Sequence, residues 1–260
     1  YGQFDVTPGI DSGAGGFVEV SSGDTLTFNG NVRAGVDNRT GTLLLDPKNI
    51  TIGSGSGDSI ISAVFGTNPS SDSTITPTTI TTSLSAGTNV VLQANNDITV
   101  SDAITTNNAS GDGGDLTLQA GRSVLINANI TTDNGDLTLT ANDLASNGVV
   151  NAQRDDGLAV ITLGSGTTIN TGTGTFTSTI RAGTGKTYRD SGDITLSTIT
   201  ANSLVADNSG HTTGDILDTG ILTIAGTSSF TTTRSNADIT LDSANAFTGA
   251  VTLNTTGSQG

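Results

Sequence analysis

The sequence repeats itself at a spacing that few folds tolerate. Residues 89–107 lie without gaps on residues 115–133, and their apolar positions coincide. The six matched pairs are Val90/Leu116, Leu92/Leu118, Ala94/Ala120, Ile98/Val124, Val100/Ile126 and Ile104/Ile130. Self-similarity at a period of roughly 20 to 50 residues is typical of solenoids, because one unit cannot bury its own apolar face and must stack on its neighbours.

Further copies of this six-position template precede and follow the central pair. An N-terminal copy places Val18, Val20, Ser22, Leu26, Phe28 and Val32 at the six positions. A fourth copy starts at Asp136, where DLTLTA repeats the DLTLQA that starts at Asp115. Looser restarts are predicted at residues 159–163, 193–196, 238–241 and 250–253.

Within one unit, apolar and polar residues alternate, pause at Gly, Asn or Asp, and alternate again. Alternation at period two indicates strands, and the pauses indicate tight turns. An antiparallel meander would also alternate, but it would not need the same internal spacing in every copy. The sequence therefore predicts an all-β fold, a right-handed parallel β-helix that spans residues 1–260 as a single domain. Leu92 and Leu118, Val100 and Ile126, and Ile104 and Ile130 should then be neighbours in one core.

The longest interruption of the repeat runs over residues 53–87, which begin with GSGSG and include Pro69 and Pro77. We interpret it as an excursion from the solenoid. A short helical turn is expected at residues 78–86, with Leu84 packed against a coil edge. Because long surface loops cost little closure entropy, shortening residues 58–83 is expected to be milder than Leu118→Ala.

Charge excludes several classes of partner. The formal net charge is −15, and Glu19 is the only glutamate among the acidic residues. Scattered Lys and Arg do not provide the basic cluster that nucleic acid or anionic lipid requires, so no nucleic-acid partner is expected.

No apolar run approaches the roughly 18 residues of a membrane span, and the N-terminus does not resemble a signal peptide, so we expect a mature fragment. The absence of Cys leaves the compartment open.

The candidate binding motifs are weak. Residues 111–115, GDGGD, are similar to part of a calcium-binding nonapeptide repeat but occur once, so a solvated turn is the favoured interpretation and no metal site is predicted. The GSGSG segment lacks the Lys-Ser/Thr of a phosphate loop, so no cofactor is predicted. Asp97, Asp115, Asp136, Asp193 and Asp238 precede strands and are expected to cap turns by accepting backbone N–H bonds.

Enzymatic motifs are equally sparse, and no catalytic residue is predicted. The main rival to a structural role is a carbohydrate-binding or polysaccharide-cleaving β-helix, for which residues 154–156 and 186–190 are the only dense mixed-charge patches. Adjacent residues of a strand point to opposite faces, so Asp155 and Asp156 should not act together. His211 is the only histidine and cannot form a histidine metal cluster. Scattered threonines argue against ice binding, and chance explains the sequons at Asn38, Asn49, Asn108, Asn129 and Asn254.

Three segments resemble the filamentous haemagglutinin-type exoproteins of two-partner secretion: residues 41–52 (GTLLLDPKNITI), 84–100 (LSAGTNVVLQANNDITV) and 114–121 (GDLTLQAG). The resemblance implies an extracellular β-helical shaft on the bacterial cell surface, exported through an outer-membrane barrel. It further implies adhesion, aggregation or display of an effector, with host or neighbouring cell surfaces or matrix glycans as partners. Open stack ends would also permit end-to-end self-association.

Overall fold

A computed structural model describes residues 3–5, 17–19, 31–33, 41–45, 48–54, 72–183, 191–210 and 214–255, the first four ranges as strand backbone alone. The N-terminal elements are β1 (Gln3–Asp5), β2 (Phe17–Glu19), β3 (Asn31–Arg33), β4 (Gly41–Leu45), β5 (Asn49–Ile52), β6 (Asp72–Ile75) and α1 (Pro77–Ser85). Regular coils follow, each made of three strands.

The coils are numbered 1 to 6 along the chain. Coils 1 to 3 are β7 (Thr88–Ala94), β8 (Ile98–Val100), β9 (Ile104–Thr105), β10 (Leu116–Ala120), β11 (Val124–Ile126), β12 (Ile130–Thr131), β13 (Leu137–Ala141), β14 (Ala159–Leu163) and β15 (Thr168–Asn170). Coils 4 to 6 are β16 (Thr175–Ile180), β17 (Ser191–Leu196), β18 (Thr198–Ala201), β19 (Ser203–Asn208), β20 (Ile216–Asp218), β21 (Leu222–Ile224), β22 (Ser228–Thr232), β23 (Ile239–Thr240) and β24 (Ala246–Phe247). β25 (Val251–Thr255) begins a further layer.

Every coil contributes one strand to each of three parallel sheets. Sheet 1 has nine strands in the order β2-β4-β7-β10-β13-β16-β19-β22-β25. Sheet 2 has eight, in the order β6-β5-β8-β11-β14-β17-β20-β23, and sheet 3 has six, in the order β9-β12-β15-β18-β21-β24. The predicted fold class is confirmed: the chain is a parallel β-helix.

The predicted register is also confirmed. Leu92 pairs with Leu118, Val100 with Ile126 and Ile104 with Ile130 in adjacent coils, and all six side chains are fully buried. The reason is the pleat, which sends alternate side chains inward and leaves Thr, Gln and Asn between them outside.

Aliphatic columns fill most of the interior, and in two layers of sheet 1 an aromatic ring and a small side chain take the place of two leucines. In sheet 1 the inward pair is Leu116 and Leu118 in coil 2, but Phe176 and Ser178 in coil 4. The order reverses in coil 6, where a serine at position 228 accompanies Phe230, whose ring meets Phe247 edge-on at 6.0 Å. Large and small inward side chains are thus combined within one layer.

The N-terminal copy of the template is confirmed only at its start. Val18 pairs with Leu43 in sheet 1, and Leu43 pairs with Val90, so a layer formed by β4 and β5 lies between the two copies. Val32, expected beside Ile104, belongs instead to β3, which pairs with β1. The remaining positions of this copy, Val20, Ser22, Leu26 and Phe28, lie outside the described residues.

Three of the looser restarts are wrong in phase. Residues 159–163, 193–196 and 238–241 contain β14, β17 and β23, which are second strands in sheet 2 rather than starts of coils. The true starts, β16, β19 and β22, were missed because Phe, Ser and Ala replace Leu at their inward positions. Residues 250–253 do begin a layer, at β25.

The interruption predicted at residues 53–87 is only partly outside the solenoid, because its second half pairs and packs with the coils. Residues 55–71 lie outside the described part of the chain. β6 pairs with β5 at the edge of sheet 2, and α1 contacts β3, β7 and β9. Ile75, Ile80 and Leu84 are fully buried, so the expected packing of Leu84 is confirmed. The expectation that residues 58–83 are dispensable is therefore wrong for residues 72–83, which complete the core below coil 1.

Glycines form a column at the corner where sheet 3 leads into sheet 1. Gly114, Gly135 and Gly174 each lie two positions before the first inward residue of β10, β13 and β16. A Cβ on Gly114 would lie 2.2 Å from the carbonyl oxygen of Thr88, and one on Gly135 would lie 2.3 Å from that of Gly114. The coils therefore approach too closely at Gly114 and Gly135 for a side chain.

Substituting Ile80 tests whether α1 is part of the core. Ile80→Ala should destabilise the protein by about 2 to 5 kcal/mol, as Leu118→Ala should, because both leave a cavity among buried side chains. Thr78→Ala on the exposed side of α1 should change the free energy of unfolding by less than about 0.5 kcal/mol. Denaturant unfolding measures all three; equal, small effects of Ile80→Ala and Thr78→Ala would show that α1 is a surface loop.

Substituting Gly114 tests the close approach of the coils. Gly114→Ala should lower the free energy of unfolding by more than about 1 kcal/mol, because the backbone must shift to remove a clash. Gly164→Ala is the matched control, since its Cβ would make only a 3.4 Å contact with the Ile126 oxygen. Thermal melting of the two variants should place Gly114→Ala well below Gly164→Ala; the reverse order would contradict this account of the corner.

Candidate functional site

Basic residues gather at one edge of the solenoid, the corner between sheets 1 and 2, called here the first corner. Every Lys or Arg whose side chain the structure describes lies there: Lys48, Arg122, Arg154, Arg181 and Arg234. The connections of this corner are also the longest between strands of one coil, at residues 142–158 and 181–190. These basic side chains thus lie at a corner where the coils have long connections.

Residues 142–158 form an ordered segment, called here the strap, between β13 and β14. It contains two single turns of 3-10 helix, Ala145–Asn147 and Asn151–Gln153. Val149 is buried, and the backbone N–H of Val150 donates to Oδ1 of Asn95 at 2.7 Å. The strap therefore folds down over the corner instead of projecting into solvent.

Arg154 anchors the strap from within. Its side chain is buried, and its guanidinium donates to Oδ1 of Asn142 at 2.7 Å and to the carbonyl oxygen of Asp143 at 2.6 Å. Burial lowers the pKa of Arg154, and the nearby carboxylate of Asp143 opposes that shift. A guanidinium turned inward in this way is a structural tie and is not presented to a ligand.

Asp155 faces the earlier coils. Its carboxylate accepts from Nζ of Lys48 at 3.1 Å and from Nδ2 of Asn96 at 2.9 Å, and its N–H donates to Oδ1 of Asn96 at 3.0 Å. Asp156 lies in a bend and Asp155 directly before it, neither in a strand, so the predicted reason for their separation is wrong. Asp155 is instead committed to Lys48 and Asn96. The second mixed-charge patch, residues 186–190, lies outside the described residues, as does His211.

Arg122 ties the same corner one coil above Asn96. Its guanidinium forms a bidentate salt bridge with the carboxylate of Asp97 and donates to the carbonyl oxygen of Asp156 at 3.0 Å. The hydrogen bonds to Asp97 raise the pKa of Arg122. The guanidinium of Arg122 thus forms its hydrogen bonds with other groups of the first corner.

Four of the five aspartates predicted to accept backbone N–H groups, Asp97, Asp115, Asp136 and Asp193, do so, but from the following coil. Asp238 donates its own N–H to Asp215 of the preceding coil. Oδ1 of Asn89 accepts from the N–H of Asp115 at 2.7 Å, Oδ1 of Asp115 from Asp136 at 2.9 Å, and Oδ1 of Asp136 from Thr175 at 2.7 Å. Equivalent bonds join Asp97 to Ser123, Asp193 to Asp215 and Asp215 to Asp238. These side chains link coils to one another rather than close their own turns.

The proposed calcium-like turn, residues 111–115, is accounted for by protein contacts. Oδ1 of Asp112 accepts from Nδ2 of Asn134 at 3.0 Å, and Asp115 belongs to the column just described. In the described part of the chain, no three His, Cys, Asp or Glu side chains are grouped so that they could hold a metal ion. No described helix is long and apolar enough to cross a membrane.

Two of the sequon asparagines, Asn49 at the start of β5 and Asn108 in the connection after β9, use their side-chain amides in hydrogen bonds within the protein. Nδ2 of Asn49 donates to Asp72 at 2.5 Å, and Nδ2 of Asn108 donates to the carbonyl oxygen of Asp112 at 2.7 Å. Asn254 lies exposed in β25, whereas Asn38 is outside the described residues. The amides of Asn49 and Asn108 are therefore poorly placed for glycosylation.

Some of the threonines that are spread along the sequence become neighbours in the fold. Stacking aligns them in an outward column of sheet 2, which consists of Thr74, Thr51, Thr99, Leu125, Thr162, Thr195, Leu217 and Thr240. Variable corner lengths hide this column in the sequence. It is one residue wide and interrupted by two leucines, so it does not form the repeated Thr-x-Thr surface of an ice-binding solenoid.

Comparisons with known proteins agree with the architecture. A family model described as Repeats of unknown function (DUF5649) matches residues 182–254. The matched residues run from β17 in coil 4, through coils 5 and 6, to most of β25. No curated protein and no solved structure matches the chain. The repeat match and the three parallel sheets together support a repeat-containing β-solenoid.

Asp115 offers a pH-dependent test of the side-chain column. Burial raises the pKa of Asp115, and the negative charge of Asp136 adds to that effect. Asp115→Asn keeps an oxygen to accept from Asp136 and removes the buried charge, so it should stabilise the protein at neutral pH by less than about 1 kcal/mol. Because a raised pKa costs stability only where the group is ionised, the gain should vanish as the pH falls below the ordinary carboxyl pKa.

Thermal melting at neutral and acidic pH measures this effect. Asn89→Asp is the reciprocal variant, since it adds a carboxylate to the same column and should lower the melting temperature at neutral pH. A gain for Asp115→Asn that persists unchanged in acid would mean that the charge of Asp115 is not the cause.

Proposed function

We propose that this chain is a mechanical shaft, a non-enzymatic segment of a secreted bacterial surface protein of the filamentous haemagglutinin type. The observation that carries the proposal is the unbroken parallel ladder of nine strands in sheet 1, from β2 to β25. A continuous hydrogen-bonded ladder with an aliphatic core resists bending, and each coil adds about 4.8 Å to the length. Its purpose on a cell surface is to hold a contact site away from the envelope.

The charged groups of the first corner favour this role over polysaccharide cleavage. Retaining and inverting glycosidases need two carboxyl groups facing one sugar, with a space of about 5 to 9.5 Å between them. Asp155 is paired with Lys48, Asp97 with Arg122 and Asp143 with Arg181. Such paired carboxylates support structural ties.

Location and partners follow from the resemblance of residues 41–52, 84–100 and 114–121 to that exoprotein family. The shaft would reach the cell surface through an outer-membrane secretion barrel, and the protein would mediate adhesion or aggregation through host or neighbouring cell surfaces or matrix glycans. The net charge of −15 keeps neighbouring shafts apart in solution. End-to-end stacking through β25 would extend them.

Removing one whole coil tests the role of a shaft. Deleting residues 203–226 excises coil 5 and brings Asn202 beside Thr227, one residue before β22. The product should fold cooperatively and be shorter by about 4.8 Å, because coils are interchangeable layers. The control deletion, residues 203–214, removes β19 alone and should fail to fold, since a sheet 2 strand would then follow a sheet 3 strand. Small-angle scattering and circular dichroism measure both.

Separate assays distinguish adhesion from catalysis. For adhesion, beads are coated with the intact chain. Beads should adhere to cells or to matrix glycans, and the coil 5 deletion should retain that adhesion. Acidic polysaccharides incubated with the chain should release no saccharides. If the intact chain released saccharides and the Asp155→Ala variant did not, the enzymatic alternative would be supported and the role of a shaft would be contradicted.

A further inference from the structure

The strap makes contacts that a solenoid does not otherwise have. In a stacked repeat, each unit normally touches only the next, so stability is a sum of units and nearest-neighbour interfaces. The strap leaves coil 3 after β13, yet Asp155 contacts Asn96 in coil 1 and Lys48 in the β4–β5 layer. These contacts skip coil 2, and the Lys48–Asp155 pair joins residues 107 positions apart.

Intermediate coils are held along the way. Coil 2 is engaged where Arg122 donates to the carbonyl oxygen of Asp156 and where Oγ of Ser123 lies 3.4 Å from the carbonyl oxygen of Leu158. Coil 1 is engaged a second time, where Asn95 accepts from the N–H of Val150. The strap therefore contacts every layer from β4–β5 to coil 3.

The other end of the strap reaches forward to coil 4. The buried carboxylate of Asp143 lies 3.2 Å from Nε of Arg181, and Nδ2 of Asn142 donates to the carbonyl oxygen of Arg181 at 2.8 Å. Arg154, buried between Asn142 and Asp143, keeps the two halves of the strap together. Through Asp143 and Asn142 the strap thus also contacts coil 4.

We propose that the strap is a clamp that makes the β4–β5 layer and coils 1 to 4 open as one cooperative unit, while coils 5 and 6 open independently. The ladders alone would let any coil separate from its neighbour at the cost of one interface. With the strap in place, separation of coil 1 from coil 2 also breaks the contacts of Asp155 and Val150. The clamp adds to the proposed shaft a defined stiff section, and its test does not depend on adhesion.

Native-state hydrogen exchange in low denaturant tests the clamp on the intact chain. Amides of β5 and of coils 1 to 4 should share one opening free energy and one denaturant dependence, and amides of coils 5 and 6 should open at lower denaturant. The N–H of Ser101 donates to the carbonyl oxygen of Ile52 and reports the interface between coil 1 and the β4–β5 layer. The N–H of Ile98 donates to the carbonyl oxygen of Ser123 and reports the interface between coils 1 and 2. Neither amide donates to the strap.

Asp155→Ala breaks the long-range contacts. It should speed exchange at Ser101 and Ile98 on the order of tenfold, because the ion pair with Lys48 and a charge-assisted hydrogen bond from Asn96 are lost, and leave coils 5 and 6 unchanged. Asp242→Ala is the matched control, since it removes an exposed carboxylate of a coil 6 turn and changes net charge equally. Lys48→Met should repeat part of the effect of Asp155→Ala without removing a carboxylate.

Two results would overturn the clamp. One is exchange at Ser101 and Ile98 in Asp155→Ala that matches the Asp242→Ala control. The other is a wild-type pattern in which opening free energies change gradually from coil to coil, with no shared value for coils 1 to 4.

Discussion

Parallel pairing in exact register is the constraint on which the rest of this structure depends. Once β7 and β10 pair residue for residue, every inward position stacks on an inward position of the next coil, and the same holds for outward positions. The core can then be aliphatic columns, with little need for large aromatic side chains. Where a larger ring such as that of Phe176 does occur, a small inward side chain, that of Ser178, lies in the same layer.

The same constraint explains which parts of the fold were predictable. Residues 89–107 and 115–133 belong to coils whose corners have equal length, so a gapless alignment recovers their register. Coil 3 breaks that simplicity, because the strap separates its first two strands. A pattern such as AVITL at residues 159–163 then looks like a new unit although it is a second strand. Inward serines at positions 178 and 228 removed the apolar signal that would have corrected the error.

The candidate site was predictable only in part. A dense run of charge at residues 154–156 is visible in the sequence, and it does mark the first corner. Its partners are not visible, because Lys48 and Asn96 are far away along the chain and meet Asp155 only after the coils have stacked. The burial of Arg154 was equally hidden, since it depends on Asn142 and Asp143 folding over it. The one available signal was the excess spacing between the DLTLTA and AVITL segments.

The columns of Asn and Asp side chains give the stack a direction. From Asn89 to Asp136, and from Asp193 to Asp215, the acceptor oxygen belongs to the earlier coil and the donor N–H to the later one. Each coil therefore presents acceptor oxygens to the coil that follows it. Through these columns the later coil presents no acceptor to the earlier one. The two ends of such a stack are therefore chemically different: along these columns a face that looks toward the C-terminus presents side-chain acceptors, and a face that looks toward the N-terminus presents backbone donors.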